Sequence, residues 1–391
     1  MTKANKEGRR KAPILRFKGF TDDWEQRELR EIAKKRTEKN RNLLTNNVLS
    51  NSAIYGIVKQ TEYFDKSIAN NIQNYYLVYE NDFVYNPRIS NNAPFGPISR
   101  NKLNELGIMS PLYLVFYFST KSLSDYLEIY FKSSKWHKFM YMNGNSGARS
   151  DRFAIKDNDF FRMKIKMPHS KDEINKIYKF NILLYKLLTL YEKKKQLLTQ
   201  LKQGIVNFLI TKNGQKSQLR FSGFNNNWES KSFEKLLNYE QPTKYIVKKA
   251  DYISQGTPVL TANKSFILGY TNENNVYQNI PAIIFDDFTL ESKYVDFPFM
   301  VKSSAIKILT SKNSNLFFIY QLLNNQRFVQ EGHSRHYISV VQKKKILVPS
   351  IQEQNKIGNL IKQLENNIEQ NSDTIALLKS LKEFLLQNIF L

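Results

Sequence analysis

Two stretches of the chain carry apolar residues at a seven-residue period. In the first, Ile177, Leu184, Tyr191, Leu198 and Ile205 form one row, and Phe180, Leu187, Lys194, Leu201 and Phe208 form a second, three residues on. In the other stretch, Ile361, Ile368, Ile375, Lys382 and Ile389 form one row and Ile357, Leu364, Asn371, Leu378 and Leu385 the other. Paired rows at this spacing predict long helices that bury a stripe against a partner helix. Each stretch is about 38 residues, or ~57 Å of helix at 1.5 Å per residue. The two are expected to pair antiparallel. Ile177, Leu184, Tyr191, Lys194, Leu198 and Ile205 then face Leu364, Ile368, Asn371, Ile375 and Leu378, with Lys194 and Asn371 in a central polar layer that fixes register.

The remaining sequence has a different period. Asp82 to Tyr85, Leu112 to Phe118, Ala282 to Phe285 and Ala305 to Leu309 are short, aromatic or β-branched, and bounded by Asn, Pro, Ser and Gly, which predicts buried strands. Helical stretches, Leu123 to Lys132 and Leu316 to Leu323, lie between them. Each such region is mixed α/β.

The chain also repeats itself. Residues 15–25 read LRFKGFTDDWE and residues 219–229 read LRFSGFNNNWE, with seven of eleven positions identical at an offset of 204. The helical stretches match at an offset of 180, as Asn175-Lys176-Ile177 against Asn355-Lys356-Ile357. The second globular region is therefore about 24 residues shorter, a period far too long for a solenoid. The fold class expected is α+β: two similar mixed α/β globular domains separated by two long antiparallel coiled-coil helices in pseudo-two-fold relation. The expected boundaries are a basic disordered leader (1–12), a first domain (13–167), a central helix (168–211), a linker (212–218), a second domain (219–348) and a C-terminal helix (349–391).

Charge narrows the partners. The 391 residues hold 59 Lys and Arg against 35 Asp and Glu, a net +24. Polyanions are expected, nucleic acid before an acidic membrane surface. The longest apolar run, Leu112 to Phe118, is too short to span a bilayer, so no membrane partner and a cytoplasmic location are expected. With no Cys, thiol catalysis, disulfides and Cys-bound zinc are excluded.

Catalytic signatures are missing. There is no Gly-Lys-Ser/Thr and no G-x-G-x-x-G after a strand. Asn92-Ala93-Pro94-Phe95 lacks the second proline of the adenine methyltransferase loop and reads as a surface turn. Asp287 with Glu291-Ser292-Lys293 is too tightly spaced for the acid–acid–lysine set of a nuclease and reads as a solvated strand end. His333 and His336 stand three apart beside Arg335 without an evident third ligand. They read as hydrogen-bonding groups for phosphates or base edges rather than as a metal site. His137 and His169 read as structural.

The openings at 13–27 and 219–229 resemble those of target recognition domains in the specificity subunits of Type I restriction–modification systems. Asn86-Pro87-Arg88, Ser110-Pro111-Leu112-Tyr113, Ile284 to Thr289, Phe297-Pro298-Phe299 and Lys302-Ser303-Ser304 resemble internal motifs of those domains. The helix entries at Pro168 and Pro349 resemble the family's spacer helices. The resemblance covers nearly the whole chain. It implies a non-catalytic subunit that reads a bipartite duplex DNA site, one half per domain. It also implies two modification subunits and two restriction subunits as partners. No cofactor is expected in this chain, since S-adenosylmethionine, ATP and Mg would sit on those partners. A location in the bacterial cytoplasm follows.

Duplex DNA is favoured over RNA because two similar, rigidly spaced domains suit recurring groove positions. Basic groups in Gly/Ser/Asn loops are the expected DNA contacts: Arg149, Arg152, His333, Arg335 and His336, with Arg88 and Lys264 behind them. Three other readings stay open: a stand-alone duplex-DNA-binding regulator acting as an internal pseudo-dimer, a scaffold or membrane-surface protein, and an unrecognised nuclease or methyltransferase.

Overall fold

A computed structural model describes residues 11–64, 71–146, 151–209, 219–249, 251–263, 265–328 and 336–391. The chain divides into two compact units. Unit 1 contains residues 1–190 and 374–391, and unit 2 contains residues 191–373. The division cuts each long helix near its middle rather than falling at 212–218, which lies outside the described residues.

Unit 1 opens with β1 (Glu25–Glu28), α1 (Leu29–Ile32) and β2 (Ala33–Lys35). A hairpin of β3 (Leu49–Ser52) and β4 (Gly56–Lys59) leads to α2 (Gln60–Phe64). Then come β5 (Tyr76–Val78), β6 (Phe83–Tyr85), β7 (Ile98–Arg100), β8 (Gly107–Met109) and β9 (Leu114–Phe118). Helices α3 (Lys121–Tyr130) and α4 (His137–Asn143) follow. The short pair β10 (Asn145–Ser146) and β11 (Phe153–Ala154), α5 (Asp157–Phe160) and β12 (Lys164–Met167) complete the globular part. The long helix α6 (Lys171–Leu209) then begins.

The centre of unit 1 is an antiparallel sheet in the order β2-β9-β6-β7. Phe83 and Phe116 are fully buried on it, and their alternation with neighbours on the other face follows from the two-residue period of a strand. Thr120 caps α3 by accepting from Leu123 N at 3.3 Å, so that the helix starts where the strand ends.

Unit 2 repeats the plan. It holds β13 (Glu229–Ser232), α7 (Phe233–Leu236), β14 (Leu237–Glu240), β15 (Thr257–Leu260), β16 (Ile267–Thr271), β17 (Ala282–Asp286), β18 (Ser292–Val295), β19 (Met300–Val301) and β20 (Ile306–Ser311). Helix α8 (Leu316–Asn324), β21 (Lys345–Val348) and α9 (Ile351–Asn388) follow. Its central sheet runs β14-β20-β17-β18, the same order as in unit 1.

The repeat extends to side chains. In unit 1, β1 pairs with β12 starting at Glu25↔Met167, and in unit 2, β13 pairs with β21 starting at Glu229↔Val348. Arg16 forks onto Glu173 at 2.7 and 2.9 Å, and Arg220 forks onto Glu353 at 2.9 and 2.6 Å. Each Glu lies in the first turn of its long helix, where the helix dipole favours a carboxylate. Bidentate geometry makes these the stronger kind of ion pair. Leu15 N donates to Asn388 O at 3.0 Å in unit 1, and Leu219 N donates to Phe208 O at 3.2 Å in unit 2.

The long helices pack against each other. Within unit 1, the Lys382 ammonium lies 5.8 Å from the Tyr185 ring centre. Within unit 2, Lys202 pairs with Glu365 at 2.5 Å. Tyr185 to Lys202 advances along α6 by the same number of residues as Lys382 to Glu365 retreats along α9, so both contacts fit one antiparallel register.

One heptad row differs from expectation. Both rows of α9 face inward, with Ile357, Ile361, Leu364, Asn371, Ile375 and Leu378 buried and Ile368 half-buried. On α6 the row of Ile177 and Leu184 is buried, and Tyr191, Leu198 and Ile205 are half-buried. The row of Phe180, Leu187, Lys194, Leu201 and Phe208 instead faces outward. Its place is taken, one residue later, by Asn181, Leu188, Lys195 and Lys202, four residues after the Ile177 row. The physical reason is that polar side chains can complete a seam. Asn181 Nδ2 donates to Ile177 O at 2.8 Å, and long Lys stems lie on apolar surface with their heads in water. Lys194 accordingly leaves the expected polar layer, its ammonium 5.8 Å from the Tyr191 ring centre on its own helix. Asn371 is 4 % exposed.

Candidate nucleic-acid interface

The first candidate surface is built in unit 1 on the β10–β11 pair. Asn86 anchors it from the end of β6. Its Nδ2 donates to Asn51 O at 2.9 Å, and its Oδ1 accepts from Arg88 N at 2.9 Å. Gly96 lies against Asn86 with φ +81°, and a Cβ there would meet Asn86 O at 2.0 Å, so only glycine admits this close approach. The 86–89 segment then bonds to the 151–153 segment. Ile89 N donates to Asp151 O at 3.0 Å and Phe153 N to Pro87 O at 2.8 Å, which sets Arg88 and Arg152 side by side in an isolated antiparallel bridge.

Two of the expected contacts thus share one place. Arg88 is exposed and reaches Asp151 at 3.4 Å. Arg152 lines a groove of about 680 Å³ together with Lys35, Tyr113, Asn143, Asn145 and Lys156. Burial raises the Tyr113 phenol above its ordinary pKa, and the positive charges of Arg88 and Arg152 oppose that rise. The groove is lined by both signs of charge: Asp157 and Asp159 face it with the cations, and Lys35 pairs with Asp157 at 2.6 Å. Arg149 lies outside the described residues. Lys35, Asn145 and Lys156 were not expected in this groove; Lys35 comes from the distant β2, while Asn145 and Lys156 lie in the same stretch as Arg152.

Unit 2 corrects one expectation. His336 is 1 % exposed, with Nδ1 3.0 Å from Asp287 O, and the next residue, Tyr337, donates its N–H to Asp287 Oδ1 at 2.8 Å. Asp287 is itself buried against Lys307 at 3.3 Å. His336 is thus a core group and not a groove contact. The physical reason is that Tyr337, fully buried beside it, and the Asp287 carbonyl hold the imidazole in the core. Asp287 is likewise 1 % exposed and engaged by Tyr337 and Lys307, so it is a core carboxylate and not the solvated strand end expected from the sequence. Lys264, His333 and Arg335 lie outside the described residues.

Of the two histidines read as structural, one is packed and one is exposed. His137 packs between Phe95 and Trp136, with ring centres 5.2 and 4.7 Å away, and burial lowers its pKa. His169 is exposed, 3.6 Å from Glu25. Among the described residues no three His, Cys, Asp or Glu gather as a metal site, and no helix is long and apolar enough to cross a membrane.

A second surface lies on α6. The outward side there is apolar but for Lys194 within it: Phe180, Leu183, Leu187, Leu190, Leu197, Leu201 and Phe208 are all exposed. Phe180 touches Phe17, with ring centres 5.9 Å apart. A solvent-facing helix stripe of this length is the signature of a partner helix.

Two similar α/β units, each with a strand-flanked sheet and a share of a paired long helix, define the class of protein. Residues 225–380 match the family described as the Type I restriction modification DNA specificity domain. Over 123 residues the chain is 50 % identical to the Type I restriction enzyme EcoR124I/EcoR124II specificity subunit of Escherichia coli. That match covers 29 % of this chain and spans 30 % of the length of that relative. The structure of the S subunit of a Type I restriction–modification system from M. genitalium superposes with a TM-score of 0.65 at 14 % identity, covering 97 % of this chain and 99 % of that one. Residues 225–380 are thus similar to the Type I specificity domain, and the fold of the chain is similar to that of the M. genitalium S subunit.

Proposed function

We propose that the chain is the DNA sequence-specificity subunit of a Type I restriction–modification complex. Each unit reads one half of a bipartite duplex site. The exposed stripe of α6 docks modification subunits, and restriction subunits join that assembly. The chain itself is not catalytic; adenine methylation and cleavage come from the partners, with their S-adenosylmethionine, ATP and Mg. The observation that carries this reading is the duplication at side-chain level: both units place an Arg–Glu fork at the head of a long helix, beneath the same sheet order. A reader of two half-sites needs that duplication, whereas a single-site enzyme does not.

Methylome sequencing with and without the gene tests it. A bipartite adenine-methylated motif that disappears with the gene is the expected result. A stand-alone duplex-DNA-binding regulator would leave the methylome unchanged and would bind DNA without modification subunits. Affinity should also fall steeply with salt, by ~10³–10⁵ between 50 and 200 mM if about 6–10 phosphates are neutralised.

A further inference from the structure

Two large apolar side chains stand exposed at the unit 1 groove, and both have rigid mounts. Leu112 is 62 % exposed and Met142 is 70 % exposed, yet both line the cavity that holds Arg152. Leu112 sits in the turn entering β9, where Tyr113 N donates to Ser110 O at 3.0 Å. Pro111 fixes the preceding φ in that turn. Met142 sits on the last turn of α4. Gly144 N donates to Met140 O at 2.9 Å, and a Cβ on Gly144 would meet the Phe153 ring at 2.3 Å. That helix end therefore lies tight against the core and cannot fold its side chains inward.

Among the described residues none buries these two side chains, and neither joins a core cluster. The cavity holds Arg152 and Lys156 along with Asp157 and Asp159, and Arg88 beside it pairs with Asp151 at 3.4 Å; apolar surface next to the cations Arg152 and Lys156 suits a partner that is anionic outside and apolar inside. A base-paired stack fits that description. Unit 2 offers no counterpart at this position, since the turn entering β20 reads Ser303-Ser304-Ala305.

We propose that Leu112 and Met142 form a wedge that enters the base stack of one half-site. Proteins that insert apolar residues between base steps unstack and kink the duplex, and flexible pyrimidine–purine steps yield most easily. Unit 1 then reads part of its half-site through deformability, while unit 2 reads its own without a wedge at the matching turn. The inference rests on the DNA-reading function proposed above.

The test uses the full chain assembled with its modification subunits on a duplex carrying the methylome-derived site. 2-Aminopurine is placed at successive positions of each half-site, excluding the methylated adenines, which the transferase itself extrudes. With the wild-type chain, fluorescence should rise several-fold at one step of one half-site only. Leu112→Ser with Met142→Ser should return it to the free-duplex level and weaken binding about tenfold. Both residues are exposed, so the double variant keeps its fold, checked by an unchanged melting temperature. A bound wild-type complex with no fluorescence rise, or a rise that survives the double substitution, overturns the wedge and leaves the DNA reading standing. Failure of the wild-type complex to bind the duplex at all overturns both.

Discussion

Helices α3 and α8 hold the same place in the two units, each following the second strand of its sheet and each capped by a side chain, Thr120 to Leu123 N and Asn315 to Phe318 N. Their interiors differ. Helix α8 buries Phe317, Phe318, Ile319, Leu322 and Leu323. Helix α3 buries Ser124, Asp125 and Glu128 among its apolar residues. Arg100 reaches Asp125 at 2.7 Å and Glu128 at 3.2 Å, while Lys102 and Lys132 reach Glu128 at 2.5 and 3.4 Å. Counted from the caps, Glu128 of unit 1 corresponds to Leu323 of unit 2. One fold position is thus filled by a charge network in one unit and by a methyl-bearing side chain in the other. The position demands only that its occupant be satisfied, by packing or by partners.

The comparison is broken most severely at that position. Glu128→Ala should cost unit 1 about 3–5 kcal/mol, because it leaves Arg100 buried and underpaired. Leu323→Ala should cost unit 2 about 2–5 kcal/mol by cavity formation. Denaturant melts followed by hydrogen exchange in each unit would distinguish the two; equal loss in both units after either change would contradict separate stabilisation.

Acid sharpens the contrast. Burial pushes the Glu128 carboxyl up, but Lys132, Lys102 and Arg100 outweigh it and leave the group below its ordinary value. A carboxyl depressed in the folded state stabilises above its unfolded pKa and loses that contribution as pH falls through the folded value. The stability gap between wild type and Glu128→Gln should therefore be full at neutral pH and shrink below about pH 4.3. The Leu323→Ala gap should stay flat over the same range. A Glu128→Gln gap that is also flat would remove the carboxylate from the account.

The two Arg–Glu forks differ in their support. Trp24 Nε1 donates to Glu173 at 3.3 Å, whereas Trp228 Nε1 is buried without a hydrogen-bond partner. Arg220→Ala should then destabilise by about 1–3 kcal/mol, more than Arg16→Ala, since Glu173 keeps one donor. Equal losses in chemical denaturation would show that the indole contributes nothing.

The smallest effect is expected in the helix seam. Asn371→Leu should stabilise by about 1 kcal/mol, because its buried Oδ1 has no hydrogen-bond partner. Lys194→Leu should stay within about 0.5 kcal/mol, as outward surface changes do. A matching gain at both positions would restore the shared polar layer.

Short continuous apolar strands, such as Phe83–Tyr85, Leu114–Phe118, Ala282–Asp286 and Ile306–Ser311, were legible because burial on both faces selects the same aromatic and β-branched residues. The α9 rows were legible for a similar reason. The second α6 row was not, because an apolar stripe looks the same whether it faces a partner within the chain or one outside it. Arg88 and Arg152 could be named from loop composition, but their adjacency depends on a backbone bridge between segments 64 residues apart in number. His336 was misread for the converse reason. Its loop neighbours are polar, and only the tertiary position of Asp287 reveals that the imidazole is buried.

The bonds from Leu15 to Asn388 and from Leu219 to Phe208 have a genealogical consequence. Each unit is finished by the far end of a helix that grows out of the other half of the sequence. In unit 1 that end brings Ile389 and Phe390 into the core, and in unit 2 it brings Leu209. Neither half of the gene, cut between the repeats, encodes a complete unit. Two identical half-length chains could complete each other by exchanging helix ends. Fusing their genes would then preserve every such contact and free the two copies to diverge.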